Sequence, residues 1–282
     1  MLKIIECPRD AMQGLHEFIP TEQKINYINS LLKVGFDTID FGSFVSPKAI
    51  PQMRDTHEVL ANLELAESKS KLLAIVANQR GVDDALKYEV IQYLGFPLSI
   101  SETFQQRNTR KSIEEALKNV ATFHEQCEAQ GKTLVTYISM GFGNPYDEPY
   151  SSEIVMEFVN KLVTIGVNII SLADTIGSSE PELIDSLFSA VIPAFPQIEF
   201  GAHFHSTPEK AAEKIRAAYH AGCRRFDGAM GGMGGCPMAK DDLTGNLATE
   251  TMIQVFQEEQ APFELDLAAF AAASQLKLQI FG

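Results

Sequence analysis

Several features that would place a sequence quickly in a class of protein are missing here. The four cysteines have no paired spacing and no C-x-x-C motif, so we expect no disulfide framework. No run approaches the ~20 apolar residues of a membrane span. The apolar run at the amino terminus is too short for a signal peptide. Together these absences predict a reduced, cytosolic protein that does not enter a membrane.

Positive charge is also scarce. There are 23 Lys and Arg residues against 37 Asp and Glu, which gives a net charge of −14. Non-specific nucleic-acid binding needs a basic surface, so we expect no nucleic-acid partner. An anionic small-molecule substrate remains compatible with the sequence, because a few local Arg or Lys residues can outweigh the overall field.

The apolar pattern indicates the fold class. Short apolar runs typical of strands alternate with amphipathic runs typical of helices along nearly all 282 residues, without a break in composition. Strands are predicted at residues 2–6, 38–41, 71–76, 97–101, 133–139, 168–172, 198–203 and 224–227. Helices are predicted at residues 21–34, 47–63, 82–88, 111–129, 152–165, 181–190, 208–221 and 246–257, with an extra helix over 265–279.

Eight such alternations predict parallel strands closed into a (β/α)8 TIM barrel, with residues 1–282 forming one catalytic domain. In this fold the chemistry lies at the carboxyl ends of the strands. Polar side chains follow most of the predicted strands: Arg9 and Asp10, Asp40 and Ser43, Glu102, Ser139, Asp174 and Thr175, His203 and His205, and Cys236 and Asn246. We therefore expect these side chains to converge at one mouth of the barrel.

Two histidines carry the metal hypothesis. His203 and His205 alternate along one strand and should point the same way, close enough to share a cation. Asp10 and Asn246 would add a carboxylate and an amide oxygen, a set that suits octahedral Mg²⁺ or Mn²⁺ better than Zn²⁺. The alternative is an ordinary strand with one buried and one exposed histidine.

Four further side chains are candidates for catalysis, each with a structural alternative. Arg9 would stabilise a developing enolate or thioester oxygen, or form an ion pair. Asp40 would act as a general base, or orient Arg9 or a ligand. Asp174 would take part in the chemistry or cap a turn. Cys236 follows a run of glycines, and an exposed thiol there suits proton transfer or nucleophilic attack; the alternative is an incidental cysteine.

A family resemblance covers essentially the whole chain. The matching stretches are Pro8-Arg9-Asp10 with Gln13, residues 43–48 and 51–53, Tyr137-Ile138-Ser139, residues 143–146 and 171–177, His203-Phe204-His205, residues 234–237 and residues 245–250. With these motifs the chain resembles 3-hydroxy-3-methylglutaryl-CoA lyase, within a wider group of metal-dependent barrel lyases and Claisen-condensing synthases.

The resemblance implies a divalent metal, an acyl-CoA thioester substrate and a homodimer. It implies that Asp10, His203, His205 and Asn246 bind the metal. It further implies that Arg9 stabilises the enolate, that Cys236 is an acid/base on a mobile loop, and that Asp40 and Asp174 correspond to acidic residues important to activity. The implied reaction is cleavage of the thioester to acetoacetate and acetyl-CoA.

The chain departs from the family pattern at several positions. Ala11 replaces a glycine, Gly14 and Leu15 replace an asparagine and a glutamate, and Ser206 replaces an aspartate. Asp40 replaces a glutamate and is shorter by about 1.5 Å, a scale of misplacement that matters to catalysis. These changes leave the acyl substrate open. A Claisen-type synthase acting on acetyl-CoA and a 2-oxo acid is the alternative enzyme, which the loop cysteine disfavours, and a non-catalytic barrel is a third reading.

Overall fold

A closed parallel barrel forms the centre of the protein. The computed structural model describes residues 1–235 and 244–281, and in these ranges each strand pairs with the next and the last pairs with the first. The strands are β1 (Lys3–Glu6), β2 (Thr38–Ser43), β3 (Lys71–Ile75), β4 (Ile91–Ser99), β5 (Thr133–Ser139), β6 (Ile169–Asp174), β7 (Glu199–Phe204) and β8 (Arg225–Gly228). The predicted TIM barrel is confirmed.

Helices follow the strands and surround the barrel. They are α1 (Pro8–Gln13), α2 (Thr21–Leu32), α3 (Thr56–Ala61), α4 (Gln79–Ala85), α5 (Glu102–Thr109), α6 (Ile113–Ala129), α7 (Ser152–Ile165), α8 (Pro181–Ala194), α9 (Pro208–His220), α10 (Thr249–Glu258) and α11 (Leu267–Phe281). Short 3-10 helices span Pro51–Met53 and Met230–Gly232. No helix in the described ranges combines the length and apolarity needed to cross a membrane.

Local sequence sets many of the helix ends. The α6 helix begins at a capping box in which Ser112 accepts from the Glu115 amide while the Glu115 side chain accepts from the Ser112 amide. The α7 helix begins where Ser151 accepts from the Ile154 amide and ends at Gly166, whose φ of +108° favours glycine. The apolar faces of α6 and α7 are buried in the core of the protein.

The β4 region differs most from the prediction. The strand begins at Ile91, six residues earlier than predicted, and pairs with β5 from Tyr93 onward. The observed strand therefore includes Gly95, which lies before the predicted start at Pro97. A Cβ on Gly95 would lie 2.5 Å from the end of the Ile75 side chain, so the crowded barrel interior favours a glycine inside this strand.

Three helical segments also differ from the prediction. The α5 helix was not predicted; Ser101 caps it by accepting from the Phe104 amide at 3.1 Å. Residues 47–63 form turns, a 3-10 helix and α3 instead of one long helix. The α10 helix begins at Thr249, three residues late, because Asn246 and Ala248 form backbone bridges with the ends of β7 and β8.

The predicted C-terminal helix is present as α11. It packs along α2, where the rings of Tyr27 and Phe281 meet edge to face with centroids 6.1 Å apart. Phe36 and Phe270 form a second such pair at 6.4 Å. This packing ties the end of the chain to the outside of the barrel beside β1 and β2.

Candidate active site and metal centre

A cavity of about 570 Å³ opens at the carboxyl ends of the strands. Its wall contains Arg9 and Asp10 after β1, Ser139 at the end of β5, and both histidines of β7. Apolar side chains such as Ile75 and Phe104 line other parts of it. A largely apolar cleft with a few convergent polar groups is the usual form of a small-molecule site.

The two histidines and Asp10 form one cluster. Potential ligand atoms of Asp10, His203 and His205 all lie within 4.8 Å of one another. The histidine ring centroids are 5.6 Å apart, as expected for alternate residues on one face of β7. Asp10 reaches them from α1, because closure of the barrel places β1 next to β8 and β8 next to β7.

Asp10 is held by three donors. Arg9 Nη1, Gln13 Nε2 and Asn246 Nδ2 each donate to its carboxylate at 2.6 Å. Burial alone would raise the pKa of Asp10, but Arg9 and the two histidines outweigh it, and the net pKa is lowered. Asp10 is therefore an anion at neutral pH, as a metal ligand must be.

Asn246 reaches the cluster through its amide nitrogen. This nitrogen donates to Asp10 and also to the Met233 carbonyl at 2.9 Å. The amide oxygen, the atom predicted to bind metal, takes part in neither bond. The ligand role of Asn246 stays a prediction.

Asp227 was not singled out in the sequence, although it lies beside His203 in the register of β7 and β8. Its Oδ2 is 3.1 Å from His203 Nδ1. Burial lowers the pKa of His203, but the hydrogen bond to Asp227 and its charge more than reverse this, and the net pKa is raised. A carboxylate bonded to one ring nitrogen orients the imidazole and leaves the other nitrogen for a metal.

His205 differs from His203 in its electrostatics. Burial, together with the neighbouring His203, lowers the pKa of His205 to about 4. The ring is therefore neutral at pH 7, the form that binds metal. One carboxylate, one oriented imidazole and one neutral imidazole fit a divalent cation.

Cys7 also lies within 4.8 Å of the ligand atoms of His203 and Asp227. Burial and the nearby carboxylates raise the pKa of the Cys7 thiol, so the thiolate that a metal would require is disfavoured. Cys7 is buried, and this environment suits a packing role.

Arg9 and Asp40 form a buried pair at the base of the cavity. Arg9 Nε lies 3.2 and 3.0 Å from the two oxygens of Asp40, and Arg9 Nη2 donates to the same carboxylate. Burial raises the pKa of Asp40 to about 6 against the pull of Arg9, while the carboxylates keep Arg9 charged. Arg9 lines the cavity and Asp40 does not. The geometry therefore supports the interpretation in which Asp40 orients Arg9.

Asp174 lies behind the cavity wall. Its oxygens accept from the amides of Ser178 and Ser179 at 3.0 Å and from the Ser179 hydroxyl at 2.5 Å. Lys214, which the sequence did not mark, donates to Asp174 at 2.8 Å and to the His205 carbonyl at 3.1 Å. These contacts support the turn interpretation of Asp174, and its catalytic role stays a prediction.

Glu102 and Cys236 were also predicted to lie at the mouth of the barrel. Glu102 does not face the mouth: it starts α5 on the outside and accepts from Gln106 and from the Ile113 amide at 3.0 Å. That expectation was wrong, because β4 runs directly into an unpredicted helix. Cys236 lies outside the described residues, so its predicted role stays a prediction.

Basic side chains at the rim were largely missed. Lys48, Arg107 and Arg110 all line the cavity. The Arg107 guanidinium carbon lies 4.9 Å from the centroid of the Tyr146 ring. Arg107 and Arg110 lie at the rim because α5, which was not predicted, ends at the mouth of the barrel.

Comparisons with known proteins agree with this geometry. A model of the HMGL-like family matches residues 2–276. Hydroxymethylglutaryl-CoA lyase YngG of Bacillus subtilis is 33% identical over 268 residues, which cover 95% of this chain and 89% of the relative. (R)-citramalyl-CoA lyase of Chloroflexus aurantiacus is 30% identical over 277 residues, covering 95% and 87%. The solved structure of an HMG-CoA lyase from Acinetobacter baumannii, bound to coenzyme A and 3-methylmalate, matches with a TM-score of 0.91 and 31% identity, covering 99% of this chain and 91% of that one.

Proposed function

Because the chain belongs to the HMGL-like family, we propose that it is a divalent-metal-dependent lyase that cleaves 3-hydroxy-3-methylglutaryl-CoA, or a similar 3-hydroxyacyl-CoA, to acetoacetate and acetyl-CoA. The observation that carries the proposal is the cluster of Asp10, His203 and His205 beside Arg9 at the barrel mouth. Relatives at similar identity are named as lyases of acyl-CoA thioesters.

Asp10, His203 and His205 would hold the cation, with Asn246 as the predicted fourth ligand. Carboxylate, imidazole and amide donors favour Mg²⁺ or Mn²⁺ over Zn²⁺, which more often recruits a thiolate or a third histidine. When bound, such a cation polarises oxygen atoms of the substrate and lowers the pKa of its hydroxyl group.

Arg9 supplies positive charge where negative charge develops. Its guanidinium lines the cavity and is fixed by Asp40 on one side and by Asp10 on the other. Loss of the C3 hydroxyl proton to a base lets the C2–C3 bond break, and its electron pair moves into the enolate of acetyl-CoA. A fixed cation stabilises that enolate without reorganising during the reaction.

Two proton transfers complete the reaction. Asp40, with a pKa of about 6, has the basicity of a general base, but it reaches the cavity only through Arg9. The proton that converts the enolate to acetyl-CoA would come from Cys236, as the family resemblance implies. In total, the substrate loses one proton from its C3 hydroxyl group, and the acetyl-CoA enolate gains one at C2.

The basic rim gives the cavity an anion-binding edge. Lys48, Arg107 and Arg110 line it in a chain whose net charge is −14. Coenzyme A carries several phosphate charges, and guanidinium groups bind phosphate bidentately. This local charge supports a thioester of coenzyme A as substrate, despite the acidic character of the whole chain.

The positions that depart from the family pattern lie mostly away from the cavity. Ala11, Gly14 and Ser206 are not among its lining residues. Ser206 donates its hydroxyl proton to the Thr207 carbonyl at 2.9 Å and its amide proton to the Gly245 carbonyl at 2.9 Å. Asp40 still bonds Arg9 despite its shorter side chain. These departures therefore do not argue for a different acyl group.

The test is acetoacetate release from 3-hydroxy-3-methylglutaryl-CoA by protein supplied with Mg²⁺ or Mn²⁺. A panel including citramalyl-CoA would define the acyl group. Absence of cleavage across the panel, with metal shown to be bound, would reject the proposal. Release of free CoA thiol from acetyl-CoA plus 2-oxo acids would instead establish the synthase. The homodimer and the cytosolic location remain predictions.

A further inference from the structure

The backbone that follows β8 runs directly over the candidate metal ligands. Met233 accepts a hydrogen bond from Asn246 Nδ2 at 2.9 Å. A Cβ on Gly234 would lie 2.7 Å from the Asp10 carbonyl oxygen and 2.8 Å from Asn246 Nδ2. Residues 230–235 are here called the β8 segment, and its backbone approaches Asp10 and Asn246 closely at Met233 and Gly234.

The side chains of two glutamates hold the start of this segment at adjacent amides. Glu6 of β1 accepts from the Met230 amide at 2.8 Å and from the Thr249 hydroxyl at 2.6 Å. Glu250 of α10 accepts from the Gly231 amide at 2.7 Å. The path of the β8 segment is thus determined by contacts from two other elements, in addition to its own backbone bonds.

A third element takes part through Lys277 of α11. Lys277 Nζ donates to Glu250 at 3.1 Å. Its side chain crosses Gly231 so closely that a Cβ there would lie 2.8 Å from Nζ and 3.4 Å from Cδ and Cε. Gly231 has a φ of +75°, a conformation that favours glycine.

Lys277 is unusual within its helix. It is the one charged residue in the sequence of α11, and its side chain is only 17% exposed. The other side chains of α11 are uncharged and can pack against α2 without a buried ammonium group. By comparison, Lys161 of α7 pairs with Glu157 at 2.8 Å while 42% exposed, the form of an ordinary surface pair.

We infer that Lys277 is a positioning residue that, through Glu250 and Gly231, sets the course of the β8 segment across Asp10 and Asn246. The C-terminal helix is then a support of the candidate active site as well as an outer layer of the barrel. Without Lys277, Glu250 loses its paired cation, and the Gly231 amide loses a fixed acceptor. The catalytic consequence rests on the proposed function, whereas the physical link does not.

The test compares Lys277→Met, Lys277→Arg and the control Lys161→Met in the full-length protein. Hydrogen exchange at the Gly231 amide should be about tenfold faster in Lys277→Met, the effect of losing a charge-assisted bond. Lys277→Arg should restore most of the protection, and Lys161→Met should match the wild type. Wild-type exchange in Lys277→Met would overturn the inference.

A second variant and a second readout cover the remaining outcomes. If Lys277→Met fails to fold, Glu250→Gln tests the same link from α10, and unchanged exchange at Gly231 would reject it. In an active enzyme, Lys277→Met should lower kcat for the thioester about tenfold with little change in KM. Faster exchange with unchanged kcat would refute the catalytic consequence. A wild-type protein inactive on every thioester would reject the proposed function. The hydrogen exchange at Gly231 would then still test whether Lys277 positions the β8 segment.

Discussion

The surroundings of Asp10 and Asp174 differ, although both are buried carboxylates at the carboxyl end of a barrel strand. Asp10 accepts from Arg9, Gln13 and Asn246, and it still lines the cavity beside two histidines. Asp174 accepts from the backbone and hydroxyl groups of its own turn and from Lys214, and it does not line the cavity.

Asp10 and Asp174 share one sequence signal, but one is a candidate metal ligand and the other supports a turn. In each case an aspartate follows a buried strand, and a cation lies close to it. Around Asp10 two donors come from its own helix and the third is Asn246, and the carboxylate they hold faces the pocket. Around Asp174 they close a turn and brace the His205 carbonyl through Lys214. Convergence on open space, and not burial or charge alone, therefore distinguishes a candidate ligand from a support.

The largest expected effect is on stability, from Asp174→Asn. This change would leave the buried Lys214 ammonium without its anion, and breaking such a pair costs about 3–5 kcal/mol. Urea unfolding should show the loss, and the double variant Asp174→Asn/Lys214→Met should recover part of it. A variant as stable as the wild type but inactive would make Asp174 catalytic and break the comparison.

The next effect is on metal binding, from Asp10→Asn. A neutral amide cannot replace the anionic ligand, so Mn²⁺ affinity should fall by at least about 100-fold, more than the loss expected from a residue behind a ligand. Titration monitored by electron paramagnetic resonance measures it directly. Asp84→Asn, which breaks only the exposed pair with Lys87, is the matched control. Equal Mn²⁺ affinity in the two variants would remove Asp10 from the metal site.

A smaller loss of metal affinity is expected from Asp227→Asn, because Asp227 contacts the predicted ligand His203. The variant would lose the anion that orients His203, and such partners are typically worth about 10–100-fold in metal affinity. The same Mn²⁺ titration should place it between the wild type and Asp10→Asn. An affinity as low as that of Asp10→Asn would mean that Asp227 is itself a ligand.

The sequence predicted the barrel because strand and helix periods alternate strongly along the chain. It predicted that residues 10, 203, 205 and 246 lie together, because closure of a barrel brings them to one mouth regardless of their separation in sequence. These predictions depend on topology, which needs no knowledge of side-chain contacts.

What the sequence left out depends on contacts. Asp227 ends the predicted strand Arg-Arg-Phe-Asp, in which nothing marks the inward position until its register with His203 is known. Lys214 looks like a solvated helix charge, yet it is fully buried against Asp174. Gly95 looks like a strand breaker until the side chains of the barrel interior are seen around it.

The smallest effect extends the comparison to Glu6, a buried carboxyl bonded only to neutral donors. Burial raises the pKa of Glu6 from 4.5 to about 8. The folded protein then holds a proton that the unfolded chain releases, so this contribution to stability is complete below pH 4.5 and is lost as the pH rises toward 8. The slope is at most about 1.4 kcal/mol per pH unit. Urea unfolding at pH 6 and 7 should show a shallower pH dependence in Glu6→Gln than in the wild type. Equal slopes would mean that Glu6 is ionised when folded, which would place its charge beside the start of the β8 segment.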